Sequence, residues 1–132
     1  MSLNKTTKYA IKVLEFMVQD TQQKYSATTL SQELNIPYKY LTKFMTILEK
    51  HDILKSSKGK YGGFSLGKEP SSIRLIDIIV VFDDPYNKVC VISDDKCNFK
   101  NKCTLHDKWQ KPKCFVDDFY TTTTLADMII IS

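Results

Sequence analysis

At 132 residues, with 42% hydrophobic and 26% charged side chains, the chain can bury one core and carry a small appendage. It contains no apolar run near the roughly 20 residues that a membrane-spanning helix needs. Met1-Ser2-Leu3-Asn4-Lys5 lacks the apolar core of a signal peptide, so a cytoplasmic protein is expected. The net charge of +4 is unevenly spread: residues 1–68 hold 11 lysines against 5 acids, residues 69–132 hold 8 Lys or Arg against 10 acids.

Taken in order, Asn4 to Val18 has helical periodicity. Tyr9, Ala10, Val13, Leu14 and Met17 form one stripe, Ile11 and Phe16 widen it, and Lys5, Lys8 and Lys12 lie on the other side. Gln19 to Tyr25 reads as a polar connection. A short helix is expected over Thr28–Leu34, with Leu30 and Leu34 on one face and Ser26 or Thr28 as its cap. Asn35-Ile36-Pro37 breaks it, because Asn tolerates turn geometry and Pro37 pushes Ile36 out of the helical region.

A second helix follows over about Tyr38–His51. Leu41, Phe44, Met45 and Leu48 keep the apolar spacing, leaving Lys39, Tyr40, Thr42, Lys43 and Thr46 to face outward, while His51 caps the C-terminus. Two short helices joined by a tight turn, the second basic outside, describe a helix-turn-helix; an ordinary core hairpin with solvated lysines is the bland alternative. Asp52–Lys55 and Phe64–Leu66 read as strands around a basic, glycine-rich loop carrying Lys58, Gly59, Lys60 and Gly62-Gly63. That hairpin turns the motif into a winged helix and favours DNA binding. The charge excess of the N-terminal half agrees with a phosphate-neutralising surface.

Beyond the wing, Gly67–Ser72 is a loop containing Pro70. Leu75, Ile78, Ile79 and Phe82 predict a helix from Arg74 to about Asp83, ended by Asp83-Asp84-Pro85. Residues 86–104 are rich in Asp, Asn and Lys, with too little apolar surface to order themselves by burial. Leu105, Trp109, Phe115, Val116, Phe119 and Tyr120 return to helical spacing, where Pro112 either kinks the helix or sets its start near Lys111. Thr121–Thr124 is a break before an apolar tail, Leu125–Ile131. An apolar helix beyond a polar loop calls for a partner, most simply a second copy. The expected fold is mainly α with a small β wing: a winged helix-turn-helix domain over 1–84, a cysteine-rich cofactor loop over 85–106, and a dimerisation helix and tail over 107–132.

Cys90, Cys97, Cys103 and His106 form a C-x6-C-x5-C-x2-H series. In a cytosolic protein such soft donors point to metal chemistry rather than disulfides. The spacing is wide for a structural zinc site, which leans towards an iron–sulfur cluster; zinc and thiol redox chemistry remain open. Cys114 reads as a half-buried small apolar residue. No enzymatic constellation is visible, and a plain electron carrier has no use for a basic helix-turn-helix.

The pattern resembles the Rrf family of bacterial winged-helix regulators over nearly the whole chain. The resemblance rests on Tyr9-Ala10, Ile36-Pro37, Tyr40-Leu41, Leu48, Leu54 with Ser57, the Gly59/Gly62-Gly63 wing, Ile73 leading into Asp77-Ile78, and the series Cys90, Cys97, Cys103, His106, Asp107, Trp109. It implies a homodimeric repressor on double-stranded DNA, with crossing C-terminal helices and a cofactor loop near the dimer interface. It implies cluster ligation by Cys90, Cys97, Cys103 and His106, in the manner of IscR-like members, with [2Fe–2S] favoured over [4Fe–4S]. Cluster loss or oxidation would change how the paired recognition helices are spaced, and so operator affinity. Nitric-oxide-sensing members take an acidic ligand from the start of the first helix; this chain has Lys8 in that neighbourhood, so no carboxylate ligand is expected there. The first cysteine gap is six residues where IscR-like members commonly have five, and Thr42-Lys43 replaces an acidic and amide pair. Expected contacts are Tyr40, Thr42 and Lys43 in the major groove beside Tyr38 and Lys39, Lys58 in the minor groove, and Lys5, Lys8 and Lys60 on phosphates.

Overall fold

A computed structural model describes residues 3–60, 62–82 and 106–130, with the backbone alone for His106, Asp107 and Trp109. Helix α1, Lys5–Val18, starts where the Asn4 side chain accepts the Thr7 N–H, and buries Ala10, Val13, Leu14 and Met17. Helix α2, Ala27–Leu34, is capped by Ser26, which accepts the Thr29 N–H. Asn35 ends it in the left-handed region at φ 54°. Ser31 then clasps the turn: its carbonyl accepts the Ile36 N–H at 3.1 Å and its hydroxyl donates to the Ile36 carbonyl at 2.6 Å. This holds α2 against helix α3, Tyr38–Lys50, in the helix-turn-helix arrangement.

The end of α3 displaces the expected strand. Asp52 adopts φ 63°, its N–H bonds the Glu49 carbonyl, and the Ile53 N–H reaches back to the Leu48 carbonyl. These bonds belong to a helix C-cap, so residues 52 and 53 finish the helix instead of opening a strand, and His51 is the C-cap residue of a terminus closed by backbone N–H groups. Strand β1 is accordingly Leu54–Ser57. It pairs antiparallel with β2, Gly63–Leu66, in the register Leu54↔Leu66 to Ser57↔Gly63. The connection before α2 is also more than a polar linker. Tyr25 exchanges both backbone hydrogen bonds with Phe64, at 2.9 and 2.7 Å, adding a one-residue third strand to the wing.

A 3-10 turn, Pro70–Ser72, leads to helix α4, Leu75–Val81. Helix α5, His106–Thr122, runs through Pro112 rather than beginning near Lys111. The tail does not stand apart: Leu125, in the 3-10 turn Leu125–Met128, is fully buried in the same core as α1, α3 and α4. The Leu75 N–H bonds the Thr123 carbonyl at 3.0 Å and the Leu125 N–H bonds the Ile73 carbonyl at 2.9 Å, so the chain end is stitched to the start of α4. Gln19 grips it further through the Met128 carbonyl and the Ile130 N–H. Among the described residues no helix is long and apolar enough to cross a membrane.

Candidate nucleic-acid interface and cysteine series

Helix α3 buries Leu41, Phe44, Met45 and Leu48 and leaves Lys39, Lys43 and Thr46 exposed on its far side, with Tyr38 exposed at its start. Burying the apolar stripe fixes which way the lysines point. The Thr42 hydroxyl donates to the Lys39 carbonyl at 3.1 Å and Thr46 donates to Thr42 at 2.9 Å. Both hydroxyl protons are thus committed to the helix, and their oxygens keep acceptor capacity.

Tyr40 departs from its expected outward position. It is half-buried, edge-on to Tyr9 of α1 at 5.6 Å and to Phe44 at 5.7 Å, and its hydroxyl is hydrogen-bonded to the Thr6 hydroxyl. Thr6 carried no signal in the sequence, because a threonine in a first helical turn is ordinary.

At the wing, Lys58 and Lys60 are exposed beside Gly59, whose φ of 103° suits glycine, and the Gly62 N–H closes the turn on the Gly59 carbonyl. A Cβ on Gly62 would lie 2.2 Å from the Ser57 carbonyl oxygen, so this loop admits no side chain there. Lys24, which sequence reasoning passed over, donates to the Ser57 hydroxyl at 3.1 Å and brings another cation to the wing. On α1, Lys5 and Lys8 are exposed, and the Lys5 and Lys12 ammonium groups lie 5.6 and 5.8 Å from the Tyr9 ring centroid, within cation–π range. None of Lys5, Lys8, Lys39, Lys43 and Lys58 is in an ion pair among the described residues.

Cys90, Cys97 and Cys103 lie outside the described residues, as do Asp83-Asp84-Pro85, and His106 is the first residue of α5. Among the described residues no group of three His, Cys, Asp or Glu side chains gathers to hold a metal ion. Cys114 is exposed, not half-buried: α5 is covered on the side of Val116 and Tyr120, and Cys114, Phe115 and Phe119 lie off that side.

A helix-turn-helix with a basic outer face, followed by a two-stranded wing, defines a winged-helix DNA-binding protein. The sequence pattern of the Rrf2 family, "iron-dependent transcriptional regulator", matches residues 3–130, and the chain belongs to this family of regulators, not of enzymes. It is 34% identical over 134 residues to a putative HTH-type transcriptional regulator of Aquifex aeolicus, covering 99% of this chain and 93% of that one. It is 24% identical to the HTH-type transcriptional regulator IscR of Yersinia pseudotuberculosis, across 98% of this chain and 79% of that protein. Its fold matches that of CymR, the global cysteine regulator of B. subtilis, with a TM-score of 0.79 and 25% identity over 97% of this chain and 95% of the other.

Proposed function

We propose that the protein is a homodimeric transcriptional repressor that reads a duplex operator with α3 and the wing and responds to an iron–sulfur cluster. The observation carrying the DNA reading is the row of lysines that make no ion pair among the described residues: Lys39 and Lys43 on the outer face of α3, and Lys58 at the wing tip. Helix α3 enters the major groove. There Lys43 donates to guanine acceptors, with Thr42, Tyr38 and Lys39 beside it. Lys58 meets the minor groove, and Lys5, Lys8 and Lys60 sit on phosphates.

The donor set of Cys90, Cys97, Cys103 and His106 fits a cluster, since thiolates and imidazole both ligate iron–sulfur centres, and the resemblance to IscR-like members favours [2Fe–2S]. When bound, the cluster supplies a redox-sensitive crosslink to a segment whose composition offers little apolar burial. His106 opens α5, so that crosslink would reach the helix that also carries Phe115 and Phe119, which are 73% and 54% exposed. Two large aromatics one helical turn apart and uncovered by the monomer support a face shared with a second copy.

Anaerobic purification followed by absorption spectroscopy and iron and sulfide analysis tests the cofactor. Binding to a duplex selected from a random pool tests the interface, with Lys43→Ala and Lys58→Ala expected to weaken it. A colourless protein with stoichiometric zinc would move the assignment to a zinc site on the same four residues. Unchanged binding by both lysine variants would remove α3 and the wing from the interface.

A further inference from the structure

We infer that Tyr40 is a positioning residue, not a base-reading one, and that Thr6, which lies on α1 behind the reading helix, is needed for operator affinity through it. The inference rests on the assignment of α3 as the reading helix. The first turn of α3 has no side-chain cap: Pro37 precedes it and supplies no hydrogen-bonding side chain, so the Ser31 clasp on Ile36 holds the turn before the helix while the first helical turn itself depends on other contacts. Tyr40 lies in that turn. Its ring is wedged edge-on between Tyr9 and Phe44, and its hydroxyl ends on Thr6, which ties the turn to α1.

Beside this clamp lies a half-open cavity of about 240 Å³, lined by Thr6, Tyr40, Lys43, Phe44, Ile47 and Phe82 among others. The flank of α3 at Tyr40, Lys43 and Ile47 therefore borders open space, while Phe44 beside them is packed on Phe82. Cutting the hydroxyl pair leaves the helix room to roll. A helix with its side chains is about 5–6 Å in radius, so a roll of about 10° carries a surface group through about 1 Å. That displacement exceeds the tolerance of a hydrogen bond to a base edge, whose heavy-atom distances span only about half an ångström. Lys43 lines the same cavity and is one turn from Tyr40, so it is the first reading group to be displaced. Contacts to phosphates depend far less on such geometry, since they are dominated by charge.

The test is a double-mutant cycle on the full-length protein, using a duplex selected from a random pool with the parent protein, together with an unrelated duplex of equal length. Thr6→Val and Tyr40→Phe each delete one hydroxyl and keep the shape. Each is expected to lower affinity for the selected duplex about three- to ten-fold, in line with the worth of one hydrogen bond. The two together should cost no more than one alone. Affinity for the unrelated duplex and the salt slope should stay at the parent values, and the loss should spread over every base pair read by α3. Tyr40→Leu, which also removes the ring, should lose more than Tyr40→Phe. If Thr6→Val binds as the parent does while Tyr40→Phe relaxes preference at a single base pair, Tyr40 touches DNA and the inference is overturned. If Lys43→Ala also leaves selected-duplex affinity unchanged, α3 is not the reading helix and both assignments fall together.

Discussion

Phe44, on the buried face of α3, meets Phe82 edge-on, with ring centroids 6.4 Å apart and planes at 87°. Phe82 is the C-cap residue of α4, and the stretch that carries Cys90, Cys97 and Cys103 follows it in the chain. The contact is thus a direct packing link between the entrance of the cysteine-bearing stretch and the helix proposed to read DNA. As a prediction, Phe82→Leu keeps most of the apolar volume but loses the edge-on fit. It should cost about 1 kcal/mol of stability and shrink the ratio of operator affinities measured with and without cofactor. A variant whose ratio equals the parent's would show that coupling, if present, takes another route.

The buried tail gives a second prediction. Leu125 is fully buried although it lies beyond α5, and its N–H is held by the Ile73 carbonyl. Leu125→Ala should lower unfolding free energy by about 2–4 kcal/mol, as expected for a fully enclosed leucine. Urea denaturation measures it. A cost below about 1 kcal/mol would mean that the tail is only loosely docked.

This tail marks a boundary of what the sequence reveals. Helices α1 to α4 were legible because their apolar stripes, Asn4, Ser26 and Asn35-Ile36-Pro37 are local signals. So was the wing, through its glycines. Leu125 could be recognised as apolar, but its pairing with Ile73 spans a long stretch of chain, and periodicity says nothing of which distant segment a tail will meet. Asp52 misplaced the first strand for a related reason. A left-handed C-cap is most often glycine, and an aspartate there carries a weaker signal. Tyr40 looked like a surface residue by spacing alone, since the Thr6 hydroxyl and the Tyr9 ring that draw it inward belong to another helix.

The wing supplies a third prediction. Gly62 sits where a methyl group would overlap the Ser57 carbonyl, and Gly63, at φ 147°, lies against the Tyr25 backbone. Gly62→Ala must therefore push the loop bearing Lys58 out of place. Because the loop is at the edge of the fold, thermal stability should fall by only a few degrees. Operator affinity should fall about ten-fold, close to the effect of Lys58→Ala. An undiminished affinity would dissociate the wing from binding.

Asp77 offers a pH test. Burial by itself pushes its carboxyl up, but hydrogen bonds from the Arg74 side chain and backbone N–H, with the positive charge of Arg74 and Lys68, outweigh that and leave it below the ordinary value of 3.8. The Arg74 guanidinium donates to Asp77 at 3.0 Å, and the Arg74 N–H donates to it at 2.9 Å, tying down the N-terminus of α4. A depressed carboxylate stabilises the fold above 3.8 and loses that contribution as pH falls through its folded value. The pair is well exposed to solvent, so the charge contribution is small. Asp77→Asn should be slightly less stable than the parent at neutral pH and indistinguishable from it in strong acid. A stability gap that persists or widens in acid would assign the effect to packing.

The last prediction concerns the uncovered face of α5. Phe119, tilted against Tyr120 with ring centroids 5.4 Å apart, and Phe115 remain open to solvent in the monomer, and Val80 of α4 is 68% exposed. If this face pairs with a second copy, Phe119→Glu places a carboxylate in an apolar contact in both protomers at once. Burying unpaired charge is expensive enough to split a dimer at micromolar concentration. Sedimentation should then show a monomer with unchanged helix content. Because a monomer presents one reading helix where the dimer presents two, its affinity for a two-half-site duplex should drop by at least a hundred-fold, while its affinity for an isolated half-site stays near the parent's. A Phe119→Glu variant that sediments as the parent does, and binds the full site equally well, would place the dimer contact elsewhere on the chain.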